Sequence, residues 1–183
     1  MKKILLYLSA FVPLYILVII KILIDIIFFN LSFNFLNTFT IILFSLLIAL
    51  GGYGANMAIK HETTPKTMVK IVNATNITEK YFLGYFSLFV LFALSYELEK
   101  VSMFVVFVLV IILIGIVYVK NDLFYINPFL NILGYNFYDI TFINLDNNKG
   151  EQKAKFFYKG NIENIDQPYV AYLSHENFSM LEK

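Results

Sequence analysis

The sequence predicts an α-helical integral membrane protein: a four-helix transmembrane bundle followed by a small cytoplasmic β-rich C-terminal module. Three observations predict it. First, the chain is 59% apolar and only 15% charged, whereas soluble domains run nearer a quarter charged. Second, Val101 to Val119 reads VSMFVVFVLVIILIGIVYV, nineteen residues with no charge and no proline. As a helix it spans about 28 Å, close to the hydrocarbon thickness of a bilayer. Third, the texture changes after Lys120, where Tyr, Phe, Ile and Thr cluster between turn residues, as strands do.

Residues 1–120 hold the expected bundle. Lys2-Lys3 leads into an apolar run from Ile4 to Phe29. A signal peptide starts the same way, but this run continues well past Ala10 with no small-residue cleavage pattern, which predicts an uncleaved span. Pro13 lies within it and is placed to kink it. Lys21 and Asp25 lie four apart and share one helical face. They form either an intramembrane ion pair or two side chains snorkelling to the headgroups, and their depth near the far interface favours snorkelling. Asn30 to Thr38 is a short outer connection. The second span covers 39–58 and ends in small residues. Gly51 with Ala55, and Gly54 with Ala58, are small-xxx-small pairs suited to close helix packing, within or between chains. A hinge or a backbone-lined ion site is the sharper alternative.

Residues 60–75 read as a polar inner loop with Pro65. Asn76 followed by Glu79 resembles a capping box that starts a third span, 77–97, near Ile77. Glu97 to Lys100 is a tight turn into the fourth span, 101–119, so the last two helices should pack as an antiparallel hairpin. With four spans, twelve of the fourteen lysines fall on the side of the N-terminus, the 60–80 loop and the C-terminal region. Lys100 lies on the other side and Lys21 near it. The positive-inside rule then makes both termini cytoplasmic.

Residues 121–140 read as a membrane-to-cytosol junction broken by Asn127-Pro128 and Gly134, with Pro128 disfavouring helical geometry at Asn127. Residues 135–183 read as the β-rich module. Its strands are Tyr135–Leu145, Lys153–Tyr158 and Tyr169–Leu173, with turn chemistry at Asp146–Gly150. Leu181 to Lys183 carries no further pattern. Three or four strands suggest a small sheet or barrel-like module that leans on the membrane or on a partner.

Little in the chain supports catalysis. Cysteine is absent, and His61 and His175 are the only histidines, so neither metal nor cofactor is expected. No nucleophile elbow, P-loop or dinucleotide fingerprint occurs. A net charge of +1 provides no bulk field for direct nucleic-acid binding. Asn73 and Asn76 head glycosylation triplets, but on the expected inner side. Mid-span polar residues are hydroxyls such as Ser45 and Ser87, not the ionisable groups of a transporter. What remains is an interaction or sensing protein, not an enzyme. A small oligomeric pore or permeability factor is the alternative, and a passive membrane tether is a third class.

The junction Tyr125-Ile126-Asn127-Pro128-Phe129-Leu130, the run Gly134-Tyr135-Asn136-Phe137-Tyr138, and the short β-rich tail resemble the membrane subunit of the Kiwa anti-phage defence system, the KwaA family. The resemblance is strongest from the fourth span to Ile140. It implies a multi-pass protein of the bacterial inner membrane that senses attack at the envelope. Its partners would be the lipid bilayer, further copies of itself as a homo-oligomer, and a cytosolic DNA-binding effector subunit encoded nearby. In that reading Asn127, Pro128, Gly134 and Tyr135 are a structural junction and not a catalytic site. A stimulus would act through the bilayer or helix packing, and Asn127-Pro128 would carry the shift to the sheet.

Overall fold

The computed structural model describes residues 2–29, 34–60, 66–95, 100–146, 150–162, 167–173 and 179–182. His61, His175, Pro65 and the Glu97–Glu99 turn lie outside them.

Two short helical stretches open the chain, α1 (Lys2–Ala10) and α2 (Val12–Phe29). They meet at a 44° bend. Pro13 explains it: the ring has no N–H to give to the Ser9 carbonyl and crowds that carbonyl as well. The hydroxyl of Ser9 turns back to the Leu6 carbonyl at 2.6 Å. Helix α3 (Phe35–Ile59) follows and is about 37 Å long at the standard rise. Asn34 caps it, its side chain accepting from the Asn37 N–H at 2.7 Å. Helices α4 (Thr78–Ser95) and α5 (Val101–Lys120) come next. A 3-10 turn (Leu123–Tyr125) and α6 (Pro128–Ile132) complete the helical part.

The expected four-helix transmembrane bundle is not what the chain forms. Among the described residues, α3 and α5 are long and apolar enough to cross a membrane, and the bent pair α1–α2 makes a third candidate if it counts as one span. Two features explain the difference. The first apolar run is broken at Phe11. Helix α4 opens on Thr78-Glu79-Lys80-Tyr81 and carries Gly84, Tyr85 and Ser87, which dilute its hydropathy.

The β structure departs from expectation further. It is a closed five-stranded barrel: β1 (Lys66–Asn76), β2 (Tyr135–Asn144), β3 (Gln152–Lys159), β4 (Pro168–Tyr172) and β5 (Ser179–Glu182). It is therefore not a purely C-terminal module. The expected inner loop is β1, one of its central strands. Val69 and Ile71 point inward while Lys66, Met68 and Lys70 are exposed, the period-2 alternation of a half-buried strand. Residues Val69–Asn76 pair with β2 and Lys66–Lys70 with β4. The register shifts between Ile71 and Asn73, a bulge that bends one strand so that it serves both halves of the barrel. Strand β3 pairs antiparallel with β2 and parallel with β5, and β4 closes onto β1. This order, β1-β2-β3-β5-β4, is that of the OB-fold.

The helical pair α4–α5 is thus an insertion between the first two barrel strands. Inside the barrel lie Val69, Ile71, Ile140, Phe142, Phe156, Tyr169 and Leu181. A second core runs without interruption from helices to barrel. It joins Leu6, Tyr7 and Phe11 to Tyr118, Phe124 and Leu130, and these to Tyr135, Phe137 and Phe157.

Candidate functional site at the helix–barrel junction

Helix α1 is the hub of the junction. On one side it lies against the small-residue end of α3. A Cβ placed on Gly54 would sit 2.4 Å from the Leu5 carbonyl oxygen, and one on Gly51 would sit 2.6 Å from Val12 and 2.9 Å from the Leu8 oxygen. Only hydrogen at these positions lets the two backbones approach so closely. Ala55 is buried beside them and Ala58 is half-buried.

On its other side α1 grips α5 and the connection to the barrel. The Tyr7 hydroxyl donates to the Ile111 carbonyl, and its ring packs over Gly115 and Tyr118. Asn127 and Ser9 are both fully buried. The Asn127 amide donates to Ser9 Oγ at 2.7 Å, while its Oδ1 accepts from the Leu130 N–H at 3.2 Å. One side chain therefore caps α6 and pins it to α1. Pro128 follows as the first residue of α6, where its missing N–H costs nothing. Tyr118 donates to the Ile126 carbonyl at 3.1 Å. At the surface, Lys3 pairs with Asp122 at 2.7 Å and stands over the Phe124 ring.

The barrel is tied in at two points. Gly134 leaves α6 with φ +86, a left-handed conformation that favours glycine. Its carbonyl accepts from the Gly160 N–H at 2.9 Å. Tyr135 then opens β2, buried with its ring edge-on to Phe157. Burial, and next the nearby Glu182 carboxylate, hold the Tyr135 phenol above its ordinary pKa. At the other point, Thr78 Oγ1 accepts from the Phe137 N–H at 2.7 Å, and Ile77 N–H donates to the Phe137 carbonyl at 2.9 Å. Asn76 Oδ1 accepts from the Thr78 N–H at 2.9 Å. Asn76 thus assists the start of α4 from the last position of β1.

A cleft of about 570 Å³ lies beside this junction. The end of α5 and the 3-10 turn form one wall and β3 the other, with Asn121, Tyr125, Lys153 and Lys155 at the rim and Phe137 and Phe157 below. The Lys155 ammonium rests 3.5 Å from the centre of the Tyr125 ring, a cation–π contact.

Of the residues singled out from sequence, Asn127, Pro128, Gly134 and Tyr135 come together here. Gly51, Gly54 and Ala55 meet α1 one layer away. Lys21 and Asp25 are elsewhere, half-buried in a shallow groove between α2 and α4 with Val90 and Ala93. Sequence reasoning missed Ser9, Tyr7, Thr78 and the Lys3–Asp122 pair. A lone serine in an apolar helix was a usable signal for Ser9; for the others the partner lies more than fifty residues away in the chain.

A sequence model of the family described as anti-phage protein KwaA matches residues 2–179. No curated protein matches the chain, and neither does a solved structure.

Proposed function

The chain belongs to the KwaA family of anti-phage proteins, and from that premise we propose that it is a membrane-anchored sensor subunit that couples envelope perturbation to a cytosolic effector. The observation that carries this reading is the insertion of α4–α5 within the barrel. Both ends of the insertion are bonded to β2, through Thr78–Phe137 at one end and Gly134–Tyr135 at the other. A displacement of the helices is therefore a displacement of the first two barrel strands. Packed cores respond to such shifts by switching between arrangements rather than deforming smoothly.

Membrane anchoring is supported by the outer faces of α3 and α5. Ile42, Leu46, Leu109, Leu113 and Ile116 are all exposed, giving both helices outward faces of large apolar side chains, the kind of surface that marks a membrane or partner contact. The barrel carries Lys66, Lys70, Lys153, Lys155 and Lys159 on its surface, so the positive-inside rule favours its lying in the cytoplasm. There it would meet the effector subunit encoded nearby.

The test is a coupling-breaker. A flexible Gly-Ser insertion between Leu133 and Gly134 leaves both helices and barrel strands whole but disconnects α6 from β2. The variant should still sediment with membranes and still co-purify with the neighbouring gene product, yet lose protection in a plaquing assay. Full protection would refute the coupling. Wild-type chain in the soluble fraction would refute the membrane reading itself.

A further inference from the structure

In OB-type barrels ligands lie on the face of strands 2 and 3, between the β1–β2 and β4–β5 connections. The 570 Å³ cleft occupies that place in this chain. Its walls are β2 and β3, the end of the β1–β2 insertion, and Leu173 and Ser179, which bracket the β4–β5 connection. The fold alone says nothing of the ligand; the lining does.

We propose that this cleft binds the headgroup of an anionic phospholipid. The inference rests on the membrane reading above. Asn121 follows directly on α5, whose twenty residues span about 30 Å. Because β1 and β2 belong to one barrel, the membrane reading has α4 and α5 enter the bilayer and return together, which sets the wall that Asn121 and Asp122 form at headgroup depth. The lining is divided as an amphiphile is. Lys153, Lys155, Gln152 and Asn121 supply cations and hydrogen-bond donors for a phosphodiester. Phe137, Phe157 and Leu173 supply an apolar floor for the glycerol and the first methylenes. The volume is in the range of sites for ligands of this size. Of the acidic groups nearby, Asp122 is paired with Lys3; Asp139 stands opposite Lys155 across the β2–β3 register and shares its charge, so the surplus positive charge of the cleft comes from Lys153. Tyr125, under the Lys155 ammonium, orients that cation at the rim without neutralising it. A lipid seated here would touch α5 and β3 at once.

The test uses the full chain in a neutral detergent, titrated with fluorescent short-chain phosphatidylglycerol and, separately, the matching phosphatidylcholine. Two lysines at a membrane surface are each worth roughly fivefold in affinity. Lys153→Gln with Lys155→Gln should thus weaken phosphatidylglycerol binding about thirtyfold. Lys66→Gln with Lys70→Gln, the same charge change on β1, should leave it within threefold. Equal effects of the two pairs, or equal binding of the two lipids by wild type, would overturn the proposal. Displacement of the lipid by a single-stranded oligothymidine, controlled by the same two lysines, would give the cleft to nucleic acid instead and also overturn it. Membrane sedimentation of all variants is followed in parallel. Wild type that sediments but fails the lipid test sinks this inference alone, whereas wild type that does not sediment sinks the anchoring reading.

Discussion

Gly54→Ala is the substitution whose effect the geometry sets most directly. The new methyl would sit 2.4 Å from the Leu5 carbonyl oxygen, whereas carbon and oxygen rest at about 3.3 Å or more. Helix α1 must therefore retreat from α3 by about 1 Å, since the obstacle is backbone and cannot rotate away. Overpacking of this kind costs about 2 kcal/mol, and alanine returns about 1 kcal/mol of helix propensity. The net is a destabilisation of about 1 kcal/mol. Gly52→Ala is the internal control: nothing lies within 4 Å of its Cβ position, so only the propensity gain of about 1 kcal/mol applies. The two variants should differ by about 2 kcal/mol, which for a chain of this length is about 4–8 °C in Tm. Thermal unfolding of the detergent-solubilised protein reads the difference. Because Leu6 and Ser9 travel with α1, Gly54→Ala should also loosen Asn127 and lower protection in the plaquing assay. Identical melting temperatures for the two variants would refute the claim that α1 and α3 are in backbone contact.

Two further outcomes follow from the junction. Asn127→Ala strands the Leu130 N–H in a buried site and removes the donor to Ser9 Oγ, whose hydroxyl keeps its bond to the Leu6 carbonyl, a loss of about 2 kcal/mol, while Asn127→Ser keeps a neutral cap acceptor and should lose less; chemical or thermal unfolding ranks them. For Tyr135 the phenol is held above its ordinary value near 10 by burial and by Glu182, so the folded state keeps a proton that the unfolded state gives up. Its contribution is present below about pH 10 and is lost as pH rises beyond that. Tyr135→Phe should flatten the alkaline limb of the stability profile, and an unchanged limb would show that the phenol is not held up.

Much of the junction was legible because its signals are local. That Asn127 caps α6 appears only in the fold, but Asn127-Pro128 showed as a break because a proline restricts the residue before it. Gly134 marks a left-handed exit for the same kind of reason. The small residues of α3 pointed to close packing, but their partner α1 could not be read, since an apolar helix offers many equivalent faces. Lys21 and Asp25 were equally visible at their four-residue spacing, yet they lie away from the junction. Spacing along one helix says nothing about which neighbour covers it.

By itself the sequence determined the apolar helices α3 and α5, the strand character of β2, β3 and β4, and the break at Asn127-Pro128. These depend on hydropathy, period and short-range hydrogen bonds, all written in consecutive residues. Tertiary structure alone decided that KTMVKIVNATN is a barrel strand. With one face in water, its lysines and asparagines read as a loop, and its pairing partner β2 begins at Tyr135, beyond α4, α5 and α6. It also decided the four residues of β5, too few to show a period, whose pairing with β3 and β4 completes the barrel. That the first apolar run divides into α1 and α2 at a 44° bend was likewise visible only in the fold. Closure, insertion and the hub role of α1 are long-range pairings, and a pairing exists only once both of its members have been placed.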